Sequence, residues 1–283
     1  MNVIENSSKN GGQADPYFSI ITCTFNSDKY LNETIDSVEA QYFESFEHIF
    51  IDAFSTDDSV PLIKAYLARS PERVSLYQIP AKGVANAMNH GVSMARGKVI
   101  LHLHGDDQIA NNRVLGIVRD YFIKSNSSVV TGNCMLTQGS SIWHTWPNKP
   151  FKRLLLKLLF LPLMFYSNLV PHPSTYITKS AFQKHGGFDE RLKVVMDYDF
   201  WFRILKTESI YLVNDIFSVY RFHSQTVSTK YCKIGLQEIV QVRNKYKHDF
   251  KFSYAFFVVL IRPILLLRRF LKKTKGLVSF HND

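Results

Sequence analysis

The chain has 283 residues, 46% of them hydrophobic and 20% charged, which excludes a disordered polypeptide and gives length for one large domain with an appendage. Its net charge of +10 favours anionic partners, but much of the excess is C-terminal: Lys251 to Asn282 holds seven Lys or Arg and no Asp or Glu. Cys23, Cys134 and Cys232 are odd in number and far apart, which suggests no disulfide framework or Cys-based zinc site and fits a reducing compartment.

Met1 to Asp15 is polar and rich in Gly, Asn and Ser, with no signal-peptide apolar stretch, so residues 1–16 are expected to be a mobile lead. Phe18 to Thr22 reads as the first strand. Leu31, Ile35 and Val38 then share one helical face. His48 to Ile51 is a second strand ending at Asp52. Ser55 to Asp58 looks like a helix start, with Val60, Ile63, Ala65 and Leu67 behind it. Val74 to Ile79 is a third strand. A helix over about 84–95 presents Ala87, Met88, Gly91, Val92 and Ala95 and stops at Gly97. Val99 to Leu103 is a fourth strand, ending at Gly105-Asp106-Asp107. Strands alternating with helices predict βαβ units and a doubly wound, mostly parallel central sheet flanked by helices. The alternation fades after about residue 140.

In such sheets ligands sit beyond the carboxyl ends of the strands. Asp52 and the pair Asp106-Asp107 fall at that edge, on one crevice. Adjacent carboxylates raise each other's pKa unless something compensates. A divalent cation does so, and hard oxygen ligands suit Mn²⁺ or Mg²⁺, which share their shell with phosphate oxygens. Taken alone, the pair also reads as a solvated acidic turn. Asp197-Tyr-Asp199 reads as a helix N-cap, with Phe200, Trp201 and Ile204 following at helical spacing.

Ser19 to Asn26, with Leu31, Thr34, Ser37, Val38 and Gln41, and then Ile51 to Asp58, resemble the opening of glycosyltransferase family 2. Lys82 to Gly91, Ala95-Arg-Gly97 and the acidic pair continue the resemblance. His172-Pro, Gly186-Gly-Phe-Asp-Glu190 and Asp197 to Arg203 are similar to the family's acceptor-side motifs. Order and spacing hold from about Tyr17 to Ser228, some three quarters of the chain. The resemblance is closest to the branch that builds bacterial surface polysaccharides (O-antigen, capsule or exopolysaccharide).

It implies a Rossmann-like GT-A nucleotide-sugar transferase fold over residues 17–228, with a donor-nucleotide half (17–110) and an acceptor half (111–228). Residues 229–283 would form a C-terminal helical appendage. It also implies metal-dependent, inverting transfer from a nucleotide-diphospho-sugar to a glycan or polyprenyl-diphosphate-linked acceptor. Thr24, Phe25, Asn26, Asp52, Lys82, Asn89 and Asp106 would bind the nucleotide sugar. Asp107 would ligate the metal with Asp106, and His223 of the Arg221-Phe-His223 element would complete the shell. Asp197 takes the place of the general base, with Asp199 and His172 toward the acceptor. The chain departs from the family at Ala53-Phe54, where Gly usually follows the first Asp. It departs again at His104-Gly-Asp-Asp and at Met196-Asp197, which replaces Glu-Asp.

Phe252 to Leu271 is strongly apolar but is interrupted by Arg262-Pro263 and followed by Arg268, Arg269, Lys272, Lys273 and Lys275. That pattern suits an interfacial helix or hairpin on an anionic membrane, at the cytoplasmic inner face, better than a spanning helix. Phe151 to Val170 reads as a second contact. Buried helices capping the domain would give the same pattern. Two further readings stay open. His102-Leu-His104 before the acidic pair would suit a metal-dependent hydrolase or phosphoesterase, and a non-catalytic nucleotide-sugar binding module would keep the same fold. The cations are interleaved with Leu and Phe and form no nucleic-acid motif.

Overall fold

The structure, a computed structural model, describes residues 2–6, 14–138, 141–144 and 159–264. The chain forms two compact units, one comprising Met1–Trp146 with Val170–Ile239, the other Pro147–Leu169 with Val240–Asp283.

The first unit begins with strand β1 (Asn2–Asn6), inside the segment expected to be a mobile lead. It continues as β2 (Phe18–Thr24), α1 (Asp28–Glu39), β3 (Phe46–Asp52), α2 (Ser59–Arg69), β4 (Val74–Gln78), α3 (Val84–Met94) and β5 (Val99–His102). Strands β2, β3 and β5 are buried along their whole length except at Cys23, as near-continuous apolar runs in a sheet covered on both faces should be. Helix α1 buries Leu31, Thr34, Ile35 and Val38. Helix α2 starts at Ser59 and buries Ile63, Tyr66 and Leu67; Ala65 is exposed, because Tyr66, one step round the helix, takes the core position expected for it.

After β6 (Gln108–Ile109) and α4 (Val114–Ser125) come β7 (Val129–Gln138), β8 (Ser141–His144), β9 (Thr175–Thr178), the short helix α5 (Lys179–Lys184), α6 (Met196–Leu205) and β10 (Tyr211–Arg221). The strands make one sheet in the order β1-β4-β3-β2-β5-β9-β7-β10-β6, with β8 paired to β7. Strands β4, β3, β2 and β5 are mutually parallel. Strand β9 runs against both β5 and β7, and β10 runs with β7, so β2, β3, β4, β5, β7 and β10 share one direction. The sheet is therefore mixed α/β, mostly parallel by strand direction. The chain winds outward from β2 to β4 on one side and returns to β5 on the other. The carboxyl ends of β2 and β5 thus flank the topological switch point, where a crevice opens.

The first unit also holds α7 (Val227–Lys230) and the beginning of α8 (Cys232–Tyr246). In the second unit α9 (Lys251–Phe256) continues into the turns Phe257–Ile261. There Phe165 packs on Phe250, Tyr254 and Phe257, with ring centroids 5.2–6.4 Å apart. No helix of the described residues is long and apolar enough to cross a membrane. Residues 151–158 and the cations from Arg268 to Lys275 lie outside the described residues.

Candidate functional site

At the carboxyl ends of β2, β3 and β4, Thr24 lies opposite Asp52, and Asp52 opposite Gln78. The Asp52 carboxylate is fully buried. Its Oδ1 accepts from Thr24 Oγ1 (3.0 Å) and Ser55 Oγ (2.5 Å), and its Oδ2 from the Ser55 N–H (3.0 Å) and Gln78 Nε2 (2.8 Å). Four donors fill the acceptor capacity of a carboxylate, so Asp52 organises this edge of the crevice. The next loop is locked to it: Asn26 donates its N–H to Ser55 Oγ (2.9 Å), and its Oδ1 accepts from the Thr56 N–H (2.9 Å).

Two aromatic rings stand out of this edge, Phe25 at 60% and Phe54 at 43% exposure. Phe54 has φ +57°, a left-handed conformation costing a bulky residue on the order of 1–2 kcal/mol. That explains why Gly is usual here, and it shows the ring being held out at a cost. Lys82 is exposed on the loop between β4 and α3.

The acidic turn follows β5. Asp107 is fully buried. Its Oδ1 accepts the Arg221 N–H (3.0 Å), while its Oδ2, also buried, has no hydrogen-bond partner. Burial first and the neighbouring Asp106 second push the Asp107 carboxyl well above the ordinary carboxylate range. Asp106 Oδ2 meets His223 Nε2 at 2.9 Å, and both side chains are about a quarter exposed. Arg221 closes the turn: its Nε donates to the Asp106 carbonyl (3.3 Å) and its guanidinium lies 4.3 Å over the Tyr30 ring and pairs with Glu33.

The backbone after the turn is held by polar side chains of α1 and by Gln41, just past its C-terminus. Thr34 donates to the Asp107 carbonyl (2.8 Å), Ser37 accepts from the Ile109 N–H (3.1 Å), and Gln41 bridges the Asn111 carbonyl and the Leu115 N–H. Thr34 and Ser37, three residues apart, share one face of α1. The structure thus pairs Asp106 with His223 and holds Asp107, its chain neighbour, on the Arg221 N–H. The oxygen and imidazole set, with one buried oxygen left over, fits a hard divalent ion. Among the described residues no three His, Cys, Asp or Glu side chains converge to hold a metal unaided, so such an ion would need phosphate or water oxygens as well.

Asp197 and Asp199 lie in the first turn of α6, and the N-cap is Val195, not Asp197. Asp197 is half-buried, and its Oδ1 accepts the Tyr198 N–H within that turn (2.7 Å). Asp199 is buried and ion-paired with Arg203 (3.0 Å), whose guanidinium also donates to the carbonyls of His185 and Gly187. Gly187 has φ +65°, and a Cβ there would lie 2.8 Å from Asn89 Oδ1. Asn89 spends its amide on this loop, accepting the Phe188 N–H (2.8 Å) and donating to the Phe188 carbonyl (2.9 Å) and Glu190 (3.0 Å).

His172 stacks between His102 and His104, ring centroids 5.5 Å from each, and lies 6.5 Å from the Trp201 ring of α6. Burial holds His172 well below the ordinary imidazole range and pushes His102 down to about 3, so this cluster is neutral. The rings lie nearly parallel, at interplanar angles of 29–30°. Residues not anticipated here are Gln78, Glu33 and Ser55, whose part appears only when neighbouring strands and helices are assembled.

A model of the family described as glycosyl transferase family 2 matches residues 19–203. Among curated relatives, a protein of Rickettsia typhi described as an uncharacterized glycosyltransferase is 27% identical over 218 residues, 76% of this chain and 67% of the relative. A PGL/p-HBAD biosynthesis glycosyltransferase of Mycobacterium tuberculosis is 25% identical over 198 residues, 70% of this chain and 73% of the relative. Among solved structures, S. aureus TarS residues 1–349 in complex with UDP-GlcNAc align with a TM-score of 0.66 at 18% identity, over 85% of this chain and 71% of that one. The chain spans 42% of the longer TarS structure. The mannosyltransferase PcManGT of Pyrobaculum calidifontis, in complex with GDP-Man and Mn²⁺, aligns with a TM-score of 0.66 at 14% identity, over 92% of this chain and 73% of that one. The fold shared with them is the GT-A type.

Proposed function

Because the chain belongs to glycosyltransferase family 2 and is a glycosyltransferase, we propose that it transfers a sugar, with metal dependence and inversion, from a nucleotide-diphospho-sugar to a glycan or lipid-linked glycan acceptor in bacterial surface polysaccharide synthesis. The observation that carries the reading is the buried, unpartnered Oδ2 of Asp107 beside the Asp106–His223 pair. In this reading Asp107 and Asp106 hold Mn²⁺ or Mg²⁺ with His223, and the bound ion supplies Lewis-acid neutralisation of the departing diphosphate. Thr24, Phe25, Asn26 and the groups ordered by Asp52 hold the nucleoside, and Lys82 lies on its phosphate side. Asn89 serves the donor by fixing the Gly186–Glu190 loop.

Asp197 takes the proton of the acceptor hydroxyl as its oxygen attacks the anomeric carbon. The new carbon–oxygen bond forms on the face opposite the one that breaks, and the nucleoside diphosphate leaves with the bonding pair. One base and one departing group on opposite faces give inversion. His172 and Asp199 stand behind the acceptor side, one as neutral aromatic wall and one as the anchor of Arg203. Thermal denaturation tests donor binding. A ligand at 100 times its Kd adds about 2.7 kcal/mol, so UDP-GlcNAc or GDP-mannose with Mn²⁺ should raise the melting temperature more than either component alone. No shift with any nucleotide sugar would contradict the reading.

The second unit supports a peripheral site on the inner face of the membrane. Phe252, Phe256, Val259, Leu260 and Ile264 are exposed, Phe252 at 81%. Their spacing of four, three, one and four residues lays them along one helical face, beside the exposed cations Lys251 and Arg262. The full chain should float with liposomes containing phosphatidylglycerol and stay unbound to neutral ones; equal behaviour on both would sink the membrane contact.

A further inference from the structure

Glu238 is a buried carboxylate whose work is done on another segment. Its Oε1 accepts the Lys193 N–H (2.7 Å), and its Oε2 accepts the N–H groups of Val194 (2.9 Å) and Val195 (3.1 Å). Val195 is the residue from which α6 starts, and Asp197 follows two residues later. The first N–H groups of a helix lack partners within it, and its N-terminus attracts negative charge. Val195 has no side chain able to cap, so a carboxylate more than forty residues away in sequence serves the preceding amides and faces the positive end of the helix.

The same face of the later helix makes two further contacts with this loop. Gly235 lies against Val194, so that a Cβ on it would come within 3.1 Å of Val194 Cγ1. Lys193 Nζ sits 3.7 Å over the Tyr231 ring. Tyr231, Gly235 and Glu238 are spaced four and three apart, one helical face. All three lie beyond residue 203, where the family match ends.

We propose that Glu238 is a positioning residue for the transfer reaction: through the amides of residues 193–195 it fixes the first turn of α6, and so the direction in which Asp197 presents its carboxylate to the acceptor hydroxyl. The inference rests on Asp197 being the base. Glu238 has no part in the donor crevice, which is built from β2 to β5. Loss of the clamp should therefore act on turnover and spare donor affinity, as a small misplacement of a reacting group costs up to about 10²-fold in rate.

The test compares wild type, Glu238→Gln, Gly235→Ala, Asp197→Asn and the exposed control Gln237→Ala. Turnover is read as nucleoside diphosphate release from UDP-GlcNAc and GDP-mannose with Mn²⁺ and bacterial lipid extract. Amide hydrogen exchange across residues 193–199 is read without any ligand. Glu238→Gln should lower kcat about 10- to 100-fold with donor KM within about twofold, and should speed exchange at 193–195 and into the first turn of α6. Gln237→Ala should match wild type. Gly235→Ala presses on Val194 without removing a hydrogen bond and should lower kcat in the same sense; it decides the matter if Glu238→Gln does not fold.

Normal kcat in Glu238→Gln beside a collapsed Asp197→Asn overturns the clamp and leaves the base intact. Normal turnover in Asp197→Asn overturns the base assignment itself. A parallel fall in kcat, donor affinity and melting temperature, or faster exchange confined to 193–195, marks Glu238 as merely structural and also overturns the proposal.

Discussion

Replacing Asp197 by Asn should lower kcat by about 10³-fold, within the 10²–10⁴ range of general-base removal, while donor KM stays within about twofold. That loss is about 4 kcal/mol of barrier. Asparagine keeps the size of the side chain and its Oδ1, so the bond from the Tyr198 N–H survives. What it loses is the ability to take a proton. Asp199 cannot substitute, because it is buried and bound to Arg203 at 3.0 Å. Steady-state kinetics with the donor varied at saturating acceptor measures the split. Near-normal kcat would remove Asp197 from the reaction, and a large rise in donor KM would place it in donor binding instead.

Asp107→Ala should abolish the response of turnover to Mn²⁺ and lower transfer by at least about 10³-fold, since a preorganised charge at the leaving group supplies several kcal/mol. Asp107→Asn separates charge from packing, because its Oδ1 still accepts the Arg221 N–H. The buried carboxyl has a folded pKa raised by burial and then by Asp106. The metal-free fold therefore binds more protons than the unfolded chain above the ordinary carboxylate value of about 3.9, and it loses stability as pH rises through that window. Two signs follow. Mn²⁺ affinity should climb with pH, by up to about tenfold per unit while the ion displaces a proton. Asp107→Asn should make the metal-free protein at least as stable as wild type at neutral pH while binding Mn²⁺ poorly. Calorimetric titration at pH 5.5, 6.5 and 7.5 with denaturant melts checks both, and pH-independent affinity would contradict the assignment.

The features legible in the sequence were those whose partners lie close along the chain or repeat at the period of an element. Leu31, Ile35 and Val38 announced the buried face of α1, and the apolar runs at Phe18, His48 and Val99 announced three neighbouring parallel strands. Asp52 and Asp106-Asp107 were legible as strand-end carboxylates. The lack of free acceptor sites on Asp52 was not, because three of its four bonds come from the side chains of Thr24 on β2, Gln78 on β4 and Ser55 in the loop after β3, a convergence that appears only once the strands are assembled. The insertion of β9 between β5 and β7 was invisible because it pairs segments about seventy-five and forty-five residues apart. Local propensity makes Asp197 an N-cap. Val195 is the N-cap instead, and Glu238, distant in sequence, accepts from the N–H groups of residues 193–195 that lead into the helix. Tyr66 displaced Ala65 from the core for the simpler reason that the larger apolar ring fills the space under β3 and β4.

Transfer from a nucleotide sugar should depend on a divalent ion at the acidic turn. Nucleoside diphosphate release tests it most directly, measured over a panel of UDP-, GDP-, CDP- and dTDP-sugars with bacterial lipid extract, before and after chelation. The expected result is release from at least one donor that requires the extract, stops on chelation, returns with Mn²⁺ or Mg²⁺ and is absent in Asp107→Ala. Release that persists after chelation and in Asp107→Ala would contradict it, as would no release from any donor with metal and extract present.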